Sequence, residues 1–124
     1  MSFDIFVGPF GIPLREDTSA VRRYLEPLLD GPDHIVVVGG ESEVYGLDYD
    51  PVTGLTFTHA SGKAMGEVIY HTAILGGWVV YPVGCPVCIT GGAQADWLIP
   101  GLVAEYGYRL VRSGADIWDV IATA

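Results

Sequence analysis

The chain has 124 residues, half of them hydrophobic, and carries fifteen acidic against six basic side chains for a formal net charge of −9. A chain of this length fits one domain, residues 1–124, able to bury a core without disulfides or metal, and the apolar content excludes general disorder. The charge disfavours nucleic acid and membranes as partners, because anionic phosphate surfaces repel an acidic protein.

The opening "SFDIFV" alternates Phe3, Ile5 and Val7 against Ser2, Asp4 and Phe6, which predicts a first strand with one buried face. Gly8, Pro9, Gly11 and Pro13 then break regular structure. A helix follows, with Asp17, Thr18 or Ser19 available as N-cap and Val21, Tyr24, Leu25 and Leu28 spaced along one face. Pro27 ends or bends it near Glu26, since proline removes a backbone donor and disfavours helical geometry in the residue before it. "HIVVV" predicts a short buried strand, and "EVYGLDY" and "LTFTH" on either side of "DPVTG" predict a β-hairpin. In that hairpin Pro51 takes the second turn position and Gly54 a positive φ. Ser61 is placed to cap a second helix, "GKAMGEVIYHTAIL", whose Met65, Val68, Ile69, Thr72 and Ala73 share a face.

After Gly76 and Gly77 comes a strand, "WVVYPV", then the cysteine segment, then a loop or short helix over "AQADWLIPG" that Pro100 terminates. "YRLVRS" predicts the last strand, and "SGAD" starts a final helix in which Ser113 and Asp116 form a capping box ahead of Ile117, Val120 and Ile121. The expected fold is α+β, an antiparallel or mixed sheet of about five to six strands with two to three helices packed on it. Between Glu67 and Asp96 no residue is charged apart from His71 when protonated. Its glycines and prolines rule out a continuous membrane helix, so the stretch is expected to form a central strand and an apolar loop.

Both cysteines lie in "YPVGCPVCITGG". A type I turn with Pro86 at its second position would bring Cys85 and Cys88 together. The stretch resembles the CPxCG knuckle of rubredoxin and zinc-ribbon proteins, which implies zinc. It departs at Ile89, where the knuckle has glycine, and no second cysteine pair completes a closed site. As metal ligands Cys85 and Cys88 therefore need the histidines, or a homodimer sharing a four-cysteine site. It also resembles the CPxC of glutaredoxin-like proteins, but "ITGG" makes a poor helix start where that chemistry needs one. The leading expectation is two buried structural thiols and no cofactor. Two cysteines are too few for a secreted scaffold, and an acid stands near the amino terminus where a signal peptide is basic, so the expected location is cytoplasmic.

From Tyr24 to Gly62 the chain has no Lys or Arg, while Glu26, Asp30, Asp33, Glu41, Glu43, Asp48 and Asp50 all fall inside. "DYDPVTG" lacks the terminal glutamate of a calcium loop, "VVVGGESE" lacks a phosphate-binding pattern, and no serine sits in a nucleophile elbow. Through "MSFDIFV", "GWVVYPVGCPVCIT" and "RLVRSGADIWDVI" the chain resembles small acidic single-domain bacterial proteins, uncharacterised or immunity proteins of polymorphic toxin systems. That resemblance implies a cytoplasmic protein that binds and blocks a basic toxin and carries no functional residue over. The function expected is thus non-enzymatic binding of a basic protein partner. Glu41, Glu43, Asp48 and Asp50 are the expected contacts, with Tyr45 and Tyr49 as anchors. The alternatives are a zinc or thiol protein centred on Cys85 and Cys88, and a small enzyme whose pocket gathers His59, Glu67 and His71.

Overall fold

A computed structural model of the chain describes residues 4–13, 15 and 17–123. The predicted contributions of Ser2 and Phe3 to the first strand lie outside the described residues. Strand β1 (Ile5–Gly8) leads through a loop to α1 (Ser19–Leu25), which continues as a 3-10 turn at Glu26–Leu28. Strands β2 (His34–Val37), β3 (Gly40–Tyr45) and β4 (Leu55–Ser61) precede the long helix α2 (Lys63–Gly76). Then come β5 (Val79–Pro82), β6 (Val87–Ile89), a 3-10 segment at Gly92–Trp97, α3 (Pro100–Val103), β7 (Tyr108–Leu110) and α4 (Gly114–Thr123).

The strands form one seven-stranded sheet in the order β2-β3-β4-β1-β5-β6-β7. Neighbours run antiparallel except β6 and β7, which are parallel. The class is α+β with a mixed sheet, and the expected counts are corrected upwards among the described residues, to seven strands and four α-helices. The strand that sequence reading passes over is β6. It has three residues and follows a proline, so it is too short to show an alternation.

The two faces of the sheet are covered differently. On one face α1, α2 and α4 bury Val21, Leu25, Met65, Ile69 and Ile117 against Ile5, Val7, Ile35, Val44, Phe57 and Val80. On the other, Val79, Val87 and Ile89 are covered by Leu98, with Phe10, Ile12, Leu102 and Val103 packed around them. The backbone amide of Ile99 donates to the Phe10 carbonyl at 3.2 Å and ties this cover together. Strands β5 and β6 are therefore buried on both sides, which is why their sequence is a continuous uncharged run and not an alternation. The cover stops there, and the outer face of β1, β4, β3 and β2 stays open.

Several local expectations need correction. Ser61 ends β4 and does not cap α2, whose N-cap is Gly62 with no side-chain cap. The strands flanking "DPVTG" do pair, but across a loop of residues 46–54 whose positive φ falls on Gly46, not Gly54. The turn before β6 spans Pro82 to Cys85, with the Cys85 amide donating to the Pro82 carbonyl at 3.0 Å and Gly84 at φ +80°. The turn is thus three residues earlier than the Cys85–Cys88 turn expected: Gly84 supplies its positive φ, and Val87 is already in β6. At α4 the Asp116 amide donates to Ser113 Oγ at 3.3 Å, as the capping box requires, while the Asp116 carboxylate accepts from the Arg112 amide at 2.8 Å.

Candidate binding groove on the open face

On the open face, cross-strand pairing puts Tyr45 of β3, Thr56 of β4, Phe6 of β1 and Tyr81 of β5 in one row. Phe6 stacks on Tyr81 with ring centroids 6.4 Å apart, and Phe10 meets the same ring edge-on at 6.0 Å. Above this row lies a groove of about 520 Å³, walled on one side by Pro9 and Phe10 and on the other by Gly46, Tyr49, Thr53 and Gly54. That volume lies within the range of about 300–1,000 Å³ usual for ligand sites.

The second wall is held in place. Thr18 Oγ1 donates to the Val52 carbonyl at 2.6 Å, and Val52 is itself buried in the helix-side core. Arg22 donates to the Leu47 carbonyl at 2.7 Å and to the Tyr49 carbonyl. A basic side chain of α1 thereby satisfies the carbonyls of an acidic loop, and Tyr49 is presented with 69% of its surface exposed.

At the Tyr45 end of the groove a carboxylate gathers three donors. Glu43 Oε2 accepts from Thr58 Oγ1 at 2.8 Å and from the Tyr45 hydroxyl at 3.1 Å, and lies 3.3 Å from His59 Nδ1. These bonds, that from Thr58 foremost, hold the Glu43 carboxyl below its ordinary pKa, and the carboxylate in turn raises that of Tyr45. Thr58 and His59 are consecutive, and on a regular strand their side chains would point to opposite faces. A bulge removes that restriction: Glu41 pairs with Ser61 and Glu43 with Thr58, so β4 has one residue more than β3 between the pairs. His59 takes a φ of +54° there, which turns its ring toward the same carboxylate.

The expected contact residues separate into groups. Tyr45 and Tyr49 line the groove, and Glu43 is joined to it through the Tyr45 hydroxyl. Glu41 lies further along β3, where its Oε2 is 3.4 Å from His34 Nε2. Asp48 and Asp50 are exposed on the loop that forms the second wall. His59, Glu67 and His71 do not converge. His59 bonds Glu43 on the open face, whereas α2 packs on the other, with Glu67 accepting from the Gly114 amide at 3.0 Å and His71 resting against Tyr24 and Tyr70. The Glu67 carboxylate thus forms a link that fixes α4.

Phe6, Phe10 and Thr56 line the groove and Thr58 holds the Glu43 carboxylate, and no sequence motif marks any of the four as a site residue. Phe6 did leave a signal, because it is an aromatic residue at a position that alternation assigns to solvent. The bulge at His59 leaves none.

The cysteines sit elsewhere. Cys88 is fully buried and Cys85 nearly so, both in the helix-side core. Burial raises the Cys85 thiol, and burial with the charge of Cys85 nearby pushes the Cys88 thiol up to about 12. Metal binding and nucleophilic attack both need the thiolate, the form this core opposes. Among the described residues no group of three or more His, Cys, Asp or Glu side chains is arranged to hold a metal ion. Nor, among them, is any helix long and apolar enough to cross a membrane.

The fold and the groove define an α+β protein with an open, aromatic and acidic sheet face. In comparison with known proteins, the chain matches no family model, no curated protein and no solved structure.

Proposed function

We propose that this chain is a non-enzymatic binding protein of the immunity or antitoxin type, which blocks a basic protein partner with the open face of its sheet. The observation that carries the reading is the coincidence of exposed aromatic anchors with fixed acids on that face. Tyr45, bonded to the Glu43 carboxylate, and the exposed Tyr49 both line the groove, Asp48 and Asp50 stand on the adjoining loop, and no Lys or Arg occurs between Tyr24 and Gly62. In such an interface charge complementarity speeds encounter and rejects acidic competitors, while desolvated aromatic side chains supply most of the lasting affinity. The helix-side face cannot serve in the same way, because its apolar side chains are already spent on the core.

Affinity capture from the source cells, followed by binding measurements on the captured partner, tests the reading. The fourfold variant Glu41→Lys, Glu43→Lys, Asp48→Lys, Asp50→Lys is expected to bind about a hundredfold more weakly and with less salt dependence. Affinity and salt dependence equal to those of the unaltered protein would refute it.

A further inference from the structure

We propose that the groove above Phe6 is a receptor for an alkylammonium group, and that in the complex its occupant is a lysine side chain of the basic partner. The second half rests on the function proposed above; the first half stands on the groove alone.

Four aromatic side chains from separate parts of the chain line the groove: Phe6 from β1, Phe10 from the loop after it, Tyr45 from β3, and Tyr49 from the loop before β4. Ring faces attract a cation through their quadrupole, and the attraction grows as the cation loses water. No Lys or Arg is among the lining residues, and the guanidinium of Arg22, which meets the second wall, is taken up by the Leu47 and Tyr49 carbonyls. The Glu43 carboxylate, one hydrogen bond from the Tyr45 wall, supplies the full negative charge. An uncharged apolar ligand covering that end would strip water from the carboxylate and return no partner, which is costly. An anionic ligand would meet like charge.

The bonding around Glu43 narrows the cation further. Thr58, Tyr45 and His59 all converge on Oε2, and among the described residues no hydrogen bond reaches Oε1. A guanidinium fork takes up both oxygens of a carboxylate, whereas an ammonium group needs one. With Oε2 already taken, the open valence fits the point charge of a primary ammonium. Its methylene chain then lies along the aromatic floor, as lysine stems lie on apolar surface.

The test uses the isolated protein and three probes that share one chain: n-butylammonium, n-butylguanidinium and n-butanol. Followed by amide chemical shifts, n-butylammonium is expected to give saturable changes at Tyr45, Tyr49 and Thr56, n-butylguanidinium weaker binding, and n-butanol none. Glu43→Gln should weaken n-butylammonium about tenfold, as loss of a charge-assisted hydrogen bond implies. Tyr49→Ala, at an exposed position, should weaken it about threefold, and Asp119→Asn, exposed on α4 and away from the groove, should leave it unchanged. Equal response to n-butanol, tighter binding of n-butylguanidinium, or binding indifferent to both Glu43→Gln and Tyr49→Ala overturns the receptor.

The lysine assignment has its own readout. Saturating n-butylammonium should displace the captured partner, and a partner that stays bound overturns that assignment. The two proposals separate cleanly. A partner lost on charge reversal, beside a groove silent to n-butylammonium, removes the receptor and keeps the blocking function; saturable n-butylammonium beside a partner indifferent to charge reversal does the opposite.

Discussion

Cys88 lies within β6, opposite Val80 on one side and Arg109 on the other, with its thiol turned into the helix-side core. Its folded pKa is about 12, mainly through burial, against about 8.5 for an unperturbed thiol. Between those values the unfolded chain gives up the proton and the folded chain keeps it. The stabilising contribution is therefore complete below about pH 8.5 and declines as pH rises toward the folded value, by at most about 1.4 kcal/mol per unit. Denaturant unfolding between pH 8 and 10 should show this decline, and Cys88→Ala should flatten it. Alkylation of the thiol should follow global unfolding; rapid labelling of the native protein at pH 8 would show that the core does not exclude the thiolate. This burial is half legible in sequence. The apolar neighbours of the pair and Ile89 after it already weigh against a metal knuckle, but the neighbours are consistent with a turn at either Gly84 or Pro86. Only the pairing of Val80 with Cys88 and the turn from Pro82 to Cys85 decide that both thiols enter the same core.

Among the elements, the helices α2 and α4 pack closely. Gly66 and Gly114 bring the helices to backbone contact: a Cβ on Gly114 would lie 2.2 Å from the Gly66 carbonyl carbon and 2.2 Å from the Glu67 amide nitrogen. The Glu67 carboxylate meets the first amide of α4 at the same place, where negative charge is also favoured by the helix dipole. Gly114→Ala must push the helices apart and break that bond, and should cost about 3 kcal/mol. Gly101→Ala, in α3 with no atom within 4 Å of the added carbon, should be neutral or slightly stabilising. Chemical denaturation of the two variants checks the pair, and equal stability would mean that α4 is not docked through Gly114. The existence of α1, α2 and α4 was legible, because each presents a periodic apolar face and keeps it buried. Their fixing points were not. Glu67 reads as a partner for His71, one turn away, until the fold brings Gly114 closer to it.

For the molecule as a whole, a formal charge of −9 on 124 residues sets repulsion against compactness. Added salt screens charges further apart than a Debye length, about 10 Å at 0.1 M, so the thermal midpoint should rise as monovalent salt is raised from low concentration. The double variant Asp48→Asn, Asp50→Asn should start higher and rise less. A midpoint independent of salt in both proteins would mean that the acids are too dispersed to repel one another. Sequence alone established the α+β class, the three amphipathic helices and the acidic, base-free middle of the chain, because composition and periodicity are local properties that burial then enforces. It also placed Glu43, Tyr45 and Tyr49 in one segment. What only the tertiary structure decided is how that segment becomes a site. Pairing of β1 with β4 sets Phe6 beside Thr56, Arg22 and Thr18 hold the loop that presents Tyr49, and the bulge turns His59 onto the Glu43 carboxylate. Each is a contact between residues distant in sequence or a change of strand register, and neither leaves a periodic trace along the chain.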